Sequence, residues 1–305
     1  MPTNRHRAAE LCTRATGVPH RVALGWASQG LITRECAIPD AEDPEQRSFE
    51  ARVALVLGNA LRDSQSDAAL LGFTGAWPTG SGLVLHVHPD MDHRVIHELT
   101  PRFDAGLGRI RGVPGLRLDW QSDSGIILRC VAGGSAIRLS RSQPAWQCAL
   151  PCDGDGLTYV GRYRQEPLHP TERQELDDWY AGSLAGHDPT ARDWLLSRLL
   201  RRPLLVNSAG TAHGSANTYS HGYEDLVIEW CCGPDADVVE AQLRRSGLAA
   251  PPPRSGYGVD VERLPGVINL GEARVIVRSH GTNRHHRTRI ASPDGAARTN
   301  RQECW

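Results

Sequence analysis

The stretch LVLHVHPDMDHRVIHELTPR, residues 83–102, decides the fold. Leucine and valine alternate with polar residues at its start, which predicts a half-buried strand over residues 82–88. Its second half places apolar residues at helical spacing, which predicts an amphipathic helix over about 90–103. The chain is therefore expected to pass here from a strand directly into a helix.

A second stretch repeats this pattern. LVIEWCCGPDADVVEAQLRR, residues 226–245, can be aligned with residues 83–102. Each is followed later by an apolar strand that ends in arginine, GIILR at 125–129 and RVIVR at 274–278. The pattern favours an internal duplication of one strand-helix-strand unit. Such a likeness also arises by chance in α+β domains, so both explanations stay open.

These patterns predict an α+β fold in which a small N-terminal helical segment precedes two related strand-helix-strand units with antiparallel sheets. The predicted division is a helix-turn-helix-like segment at 1–34, a first unit at 47–145, a second unit at 157–278 and a basic, disordered tail at 279–305. The proline-containing residues 35–46 read as a linker.

Composition places the chain among globular proteins. It has 305 residues, of which 40% are apolar and 23% are charged. No apolar run is long enough to span a membrane, and the first residues do not resemble a secretory signal. We therefore expect a cytoplasmic protein whose eight cysteines are reduced.

All 34 basic side chains are arginine, and lysine does not occur in the printed sequence. A P-loop lysine, a Schiff-base lysine and a kinase-type lysine are therefore excluded within these residues. Walker-type NTPases, pyridoxal enzymes and ordinary protein kinases drop out of the candidate classes.

The net charge of −1 hides basic ends on an acidic middle. Residues 1–34 hold five arginines and one glutamate, and residues 278–305 hold six arginines against one aspartate and one glutamate. Basic termini favour contact with nucleic acid, although they also occur as plain solvated ends.

The four histidines of residues 83–99 raise the question of a metal site. The run resembles the His-x-His-x-Asp-His motif of metallo-β-lactamase-like hydrolases, except that Met91 stands where the last histidine belongs. His86-Val87-His88 also resembles an HUH nuclease motif, with Tyr180 as its suggestive nucleophile. These resemblances imply a metal-dependent nuclease or hydrolase; the candidate ligands are His86, His88, Asp92 and His93.

The structural alternative needs no metal. His86 and His88 point away from the buried face of the strand, and His93 and His97 lie opposite the apolar face of the helix. The second copy has Glu229 and Cys231 at the positions of His86 and His88, so the unit folds without histidine there. We favour this alternative and predict no catalytic residue, no cofactor and no bound metal.

The cysteines offer a weaker metal candidate. Cys148 and Cys152 are four residues apart, and Cys231 and Cys232 are adjacent. Neither pair has the C-x2-C spacing typical of a zinc site. Zinc bound by these four residues is therefore a minor alternative.

The N-terminal residues 11–32, LCTRATGVPHRVALGWASQGLI, carry the most specific motif. They resemble the helix-turn-helix of MerR-like and excisionase-like DNA-binding proteins. The matching positions are Gly17-Val18, Arg21, Trp26 and Gly30-Leu31-Ile32. The arginine- and tyrosine-bearing wing of that family is missing from the residues that follow.

The resemblance implies a short helix pair, predicted at 7–16 and 19–29, whose second helix contacts DNA. The DNA-binding candidates are Arg14, His20 and Arg21. Short helix pairs also serve as protein-docking segments, in which case Trp26 would pack onto the body or a partner.

The sequence thus favours a non-catalytic, DNA-associated protein with a regulatory or mobile-element maintenance role. The metal-dependent enzyme and a protein-interaction scaffold remain as alternatives. The expected partners are DNA and a second protein, and no membrane.

Overall fold

The computed structural model of the chain describes residues 3–61, 69–122, 125–141, 156–161, 165–181, 189–209, 216–222, 225–230, 233–251 and 264–279. Its helices are α1 Asn4–Thr16, α2 His20–Ser28, α3 Pro44–Ala60, α4 Asp92–Leu99, α5 Pro170–Ala181, α6 Pro189–Leu200, α7 Pro203–Asn207 and α8 Ala236–Arg245. Its strands are β1 Phe73–Thr79, β2 Gly82–Val87, β3 Arg102–Asp104, β4 Arg109–Arg111, β5 Leu116–Ser122, β6 Gly125–Cys130, β7 Ala136–Ser140, β8 Leu157–Tyr159, β9 Ala216–His221, β10 Asp225–Trp230, β11 Val267–Leu270 and β12 Ala273–Ser279. None of the described helices combines the length and the apolar character needed to cross a membrane.

The strands form three sheets. A five-stranded sheet has the order β1-β2-β7-β6-β5, a four-stranded sheet has the order β11-β12-β10-β9, and a small sheet has the order β4-β3-β8. Most neighbouring strands are antiparallel, but β2 pairs with β7 and β10 pairs with β12 in parallel. The α+β class is confirmed, and each of the two larger sheets is mixed because it contains one parallel pair.

The connectivity of the two larger sheets is the same. In each, two antiparallel strands lead into a helix, and the second of them later pairs in parallel with the last strand of the unit. β2 and α4 therefore correspond to β10 and α8, as the aligned sequences predicted. Strands β3, β4 and β5 lie between α4 and β6 of the first unit and have no counterpart among the described residues between α8 and β11.

One part of the alignment was wrong. GIILR belongs to β6, whereas RVIVR belongs to β12. The topological counterpart of β12 is β7, since both pair in parallel with the strand that precedes the helix. The counterpart of β6 is β11, which pairs with β12 as β6 pairs with β7.

Helices α3 and α6 pack against each other; α3 contacts both larger sheets, and α6 contacts the four-stranded one. A buried ion pair joins them: Arg201, just after α6, donates from Nε and Nη2 to Glu50 of α3 at 2.7 and 2.6 Å. The apolar residues of both sheets and of these helices form one continuous core. The two units therefore share their interior.

The predicted boundary at residue 157 does not match the sheet pairing. β8 pairs with β3, and Glu172 of α5 is bonded to Arg117 of β5 at 2.8 Å. β8 and α5 thus pack on the side of the first unit.

Three segments differ from what their local sequence pattern indicates. Residues 72–81 read as a loop because of their glycine and proline, but they contain the edge strand β1, where such residues are tolerated. The short apolar run at 204–206 is typical of a strand, but it lies in the short helix α7, which has Pro203 in its first turn. The supposed linker is also packed, because Ala37, Ile38 and Ala41 are buried.

Candidate nucleic-acid interface

The helix pair α1 and α2 is joined by a turn at Gly17. This glycine has a φ of 82°, a left-handed conformation that glycine adopts at little cost, and its N–H donates to the carbonyl of Thr13 at 2.9 Å. Val18 follows and is buried, while Val22 and Trp26 pack against the same cluster. The two helices and the turn between them therefore lie where the sequence predicted a helix pair.

The three DNA-binding candidates lie on the surface of this pair. Arg14 is in the last turn of α1, and His20 and Arg21 are the first residues of α2; all three are exposed. The ring of His20 lies beside that of His6 in α1, with centroids 6.3 Å apart. The beginnings of the two helices are thus close together.

The outer side of α2 is open. A Cβ atom added at Gly25 would meet no atom within 4 Å, and Arg21 lies one turn before it on the same side of the helix. The sequence motif did not identify Gly25 or His6 as part of this surface. The sequence did contain a signal for Gly25, because it lies four residues after Arg21, on the side of the helix opposite the apolar residues.

The inner side of the pair is docked on the first sheet. The rings of Trp26 and Trp77, on β1, meet edge to face with centroids 5.8 Å apart. Gly75 of β1 lies so close to the carbonyl of Thr16 that an added Cβ would be 3.1 Å from that oxygen. The pair therefore covers the edge strand with its apolar side and leaves its basic side to solvent.

The arginines of the helix pair differ from many of those in the body in their lack of acidic partners. Arg5, Arg14 and Arg21 of the pair, and Arg34 in the segment after it, are exposed, and none has a carboxylate within ion-pair distance among the described residues. In the body, by contrast, Arg117, Arg198 and Arg201 are each bound to a carboxylate and buried. The surface of α1 and α2 consequently carries uncompensated positive charge.

The histidine-rich stretch does not converge on one point. His88 accepts a hydrogen bond from the backbone of Asp90, and His93 is exposed. Asp92 is buried and forms an ion pair with Arg141 at 2.9 Å. The carboxylate that a metal would need is therefore already neutralised by an arginine.

His86 is half-buried on the side of β2 opposite Leu85. Its ring lies against Gly75, under the docked helix pair. This burial lowers the pKa of His86 below its ordinary value of 6.5. The residue thus serves in packing beneath the helices.

His97 was expected to be exposed and is instead half-buried. Its two ring nitrogens contact the guanidinium of Arg102 and the hydroxyl of Tyr159, the latter at 3.3 Å. Burial, followed by the positive charge of Arg102, lowers the pKa of His97. The small sheet β4-β3-β8, which the sequence did not predict in this place, covers this side of α4.

Across the described ranges, no group of three or more histidine, cysteine or acidic residues is arranged to hold a metal ion. Tyr180, the proposed nuclease nucleophile, lies beside Arg52 of α3, whose guanidinium carbon is 6.0 Å from the ring centre. Cys148, Cys152, Cys231 and Cys232 lie outside the described residues, as does nearly all of the basic tail.

Comparisons of the chain with protein-family models, with curated proteins and with solved structures found no match. The resemblance of residues 11–32 to MerR-like and excisionase-like proteins therefore stays a prediction from the sequence.

Proposed function

We propose that this chain is a non-catalytic, DNA-associated protein that contacts DNA through α1 and α2. One observation carries the proposal: the apolar side of the helix pair is docked on β1, while its arginines are exposed and lack acidic partners. Exposed arginines without partners are free to bind phosphate oxygens.

The geometry suggests how the pair would meet a duplex. In a helix-turn-helix, the first residues of the second helix enter the major groove and the first helix crosses the backbone. His20 and Arg21 stand at the first turn of α2 and would reach base edges or phosphates. Arg14, in the last turn of α1, would bind a phosphate and fix the register.

A second candidate is a protein-interaction scaffold, and the contact between Trp26 and Trp77 favours it. That alternative predicted a Trp26 side packed on the body with Arg21 in water, which is the arrangement observed. The apolar side is then already used within the chain, so a protein partner would have to recognise the polar outer side of α2.

The discriminating experiment is a fluorescence-anisotropy titration of a mixed-sequence DNA duplex at low salt with the wild type and Arg21→Ala. We expect the substitution to weaken binding by about 1–3 kcal/mol if Arg21 reads a base edge. Deleting residues 1–34 is a poorer test, because it would also uncover Trp77 and the edge of β1.

Arg245→Ala is the matched control. Arg245 is an exposed arginine on α8, and its substitution changes the net charge equally. It should leave the affinity almost unchanged. Equal losses of affinity in the two variants would show that DNA binding is a nonspecific effect of charge. A wild type that does not bind DNA at micromolar protein concentration would contradict the proposal.

A further inference from the structure

A cavity of about 630 Å³ lies between the helix pair and the body. Trp26 and Leu31 line it from the N-terminal side, and Arg47 of α3 and Trp194 of α6 line it from the body. Its volume falls within the range of sites for small organic ligands, which are also lined mainly by apolar and aromatic side chains.

Arg47 is the unusual member of this lining. It is 8% exposed, and its guanidinium lies over the ring of Trp194, 4.0 Å from the ring centre. Its Nη1 donates to the carbonyls of Ala41 and Glu42 at 2.7 and 2.9 Å. No carboxylate of the described residues lies within ion-pair distance of it, so the donors on Nε and Nη2 are left for another acceptor.

A buried cation without an anion is unfavourable, and a guanidinium presents a fork that matches a carboxylate. Three carboxylates lie near Arg47, but each has another partner. Asp40 is held by Arg198 through two hydrogen bonds of 2.8 and 3.0 Å, Asp193 accepts from Arg192, and Asp43 accepts from the backbone N–H of Glu45 at the start of α3. Burial lowers the pKa of Arg47, in keeping with the cost of its charge in this place.

We infer that this cavity binds a small organic acid whose carboxylate pairs with Arg47 and whose flat apolar part lies among Trp26, Leu31 and Pro78. The bound acid would touch both the helix pair and the body. The inference does not depend on DNA binding, and it is tested without DNA.

The test is isothermal titration calorimetry of the full chain with benzoate, phenylacetate and indole-3-acetate, each at up to millimolar concentration. At least one acid should bind, and its neutral amide should bind roughly tenfold more weakly because the charge-assisted bonds to Arg47 are lost. Arg47→Lys should also weaken binding, since lysine lacks the bidentate fork.

Arg47 also holds the backbone at residues 41 and 42, so its variants could unfold. Two exposed rim residues avoid this difficulty. Leu31 is 59% exposed, and Leu31→Glu should weaken acid binding by repulsion; Glu42→Gln should tighten it by roughly twofold to fivefold.

Three results would overturn the inference. The first is a folded wild type that binds none of the three acids at millimolar concentration. The second is equal affinity for an acid and its amide. The third is weaker acid binding in Glu42→Gln, which would indicate a site for a cation.

Discussion

At the scale of single residues, buried arginines join the parts of this lysine-free chain. The carboxylate of Glu50 accepts hydrogen bonds from Arg201, from Ser197 and from Gln46, and both members of the ion pair are fully buried. Arg201 also donates from Nη1 to the carbonyls of Pro39 and Thr79. One planar guanidinium thus links α3, the segment before it and β1, which a lysine with its single ammonium group would not do as well.

Removing Glu50 should therefore be costly. We expect Glu50→Ala to lower the free energy of unfolding by about 3–5 kcal/mol, because it leaves Arg201 charged and unpaired in the core. Urea denaturation followed by circular dichroism measures the loss. Glu45→Ala, at an exposed position of the same helix, is the control, and similar small losses in both variants would contradict the assigned role.

His86 gives a prediction for pH. Its pKa is lowered in the folded chain by burial, so as the pH falls below 6.5 the unfolded chain takes up the proton first. Stability should therefore be highest above this pH and fall as the pH decreases through 6.5. His86→Gln should make this fall shallower, whereas His93→Gln, at an exposed histidine, should leave it as steep. Chemical denaturation at several pH values decides the matter, and identical profiles for wild type and His86→Gln would refute the prediction.

At the scale of elements, the sequence predicted the helices and strands whose residue pattern reflects one buried face. β2 alternates between buried and half-buried residues, and it was expected within a residue of its observed bounds. The sequence of α3 has apolar residues at the spacing of one helical face, but the helix is buried on several sides and carries Glu50 inside. The sequence pattern identified this helix, but it could not indicate that other elements pack on its remaining sides.

The missed elements depend on neighbours that are distant in the chain. β1 contains Gly75 and Pro78 and reads as a loop, yet it is a strand because β2 pairs with one edge and the helix pair covers it. The choice of β7 rather than β6 as the partner of β2 is likewise a matter of sheet pairing, which local pattern does not encode. The helix pair was predicted for the opposite reason, since the turn at Gly17 and the residues beside it are local in sequence.

Two glycines of the helix pair should respond oppositely to alanine. Gly17→Ala places a side chain in the left-handed conformation, at a cost of about 1–2 kcal/mol. Gly25→Ala adds a methyl group in open space within a helix and should stabilise the chain by about 0.5–1 kcal/mol. Thermal unfolding of both variants tests this. Destabilisation by Gly25→Ala would mean that the outer side of α2 is covered.

At the scale of the whole molecule, the two larger sheets share one core, although their connectivity repeats. The α3–α6 pair contacts both, and Gly58 at the end of α3 lies against Leu226 of β10. We therefore expect the two units to unfold in a single cooperative transition in differential scanning calorimetry. Two resolved transitions would indicate that each sheet is stabilised separately.

Positive charge is distributed unevenly over the molecule. The arginines of the docked helix pair are exposed without acidic partners, whereas arginines such as Arg198 and Arg201 are ion-paired inside the body. Arginine contacts with phosphates release counterions, so DNA affinity should fall steeply as salt rises. The exposed surface of α1 and α2, rather than the net charge of the chain, should set this dependence.

The most direct measurement is the slope of the logarithm of DNA affinity against the logarithm of salt concentration, for the wild type and for the double variant Arg14→Gln/Arg21→Gln. The double variant should have a slope shallower by about 1 to 2, since each lost phosphate contact removes nearly one unit. Arg173→Gln/Arg245→Gln, which changes exposed arginines of α5 and α8, should keep the wild-type slope. An unchanged slope in the Arg14/Arg21 variant, or a wild type that does not bind DNA at low salt, would contradict the account.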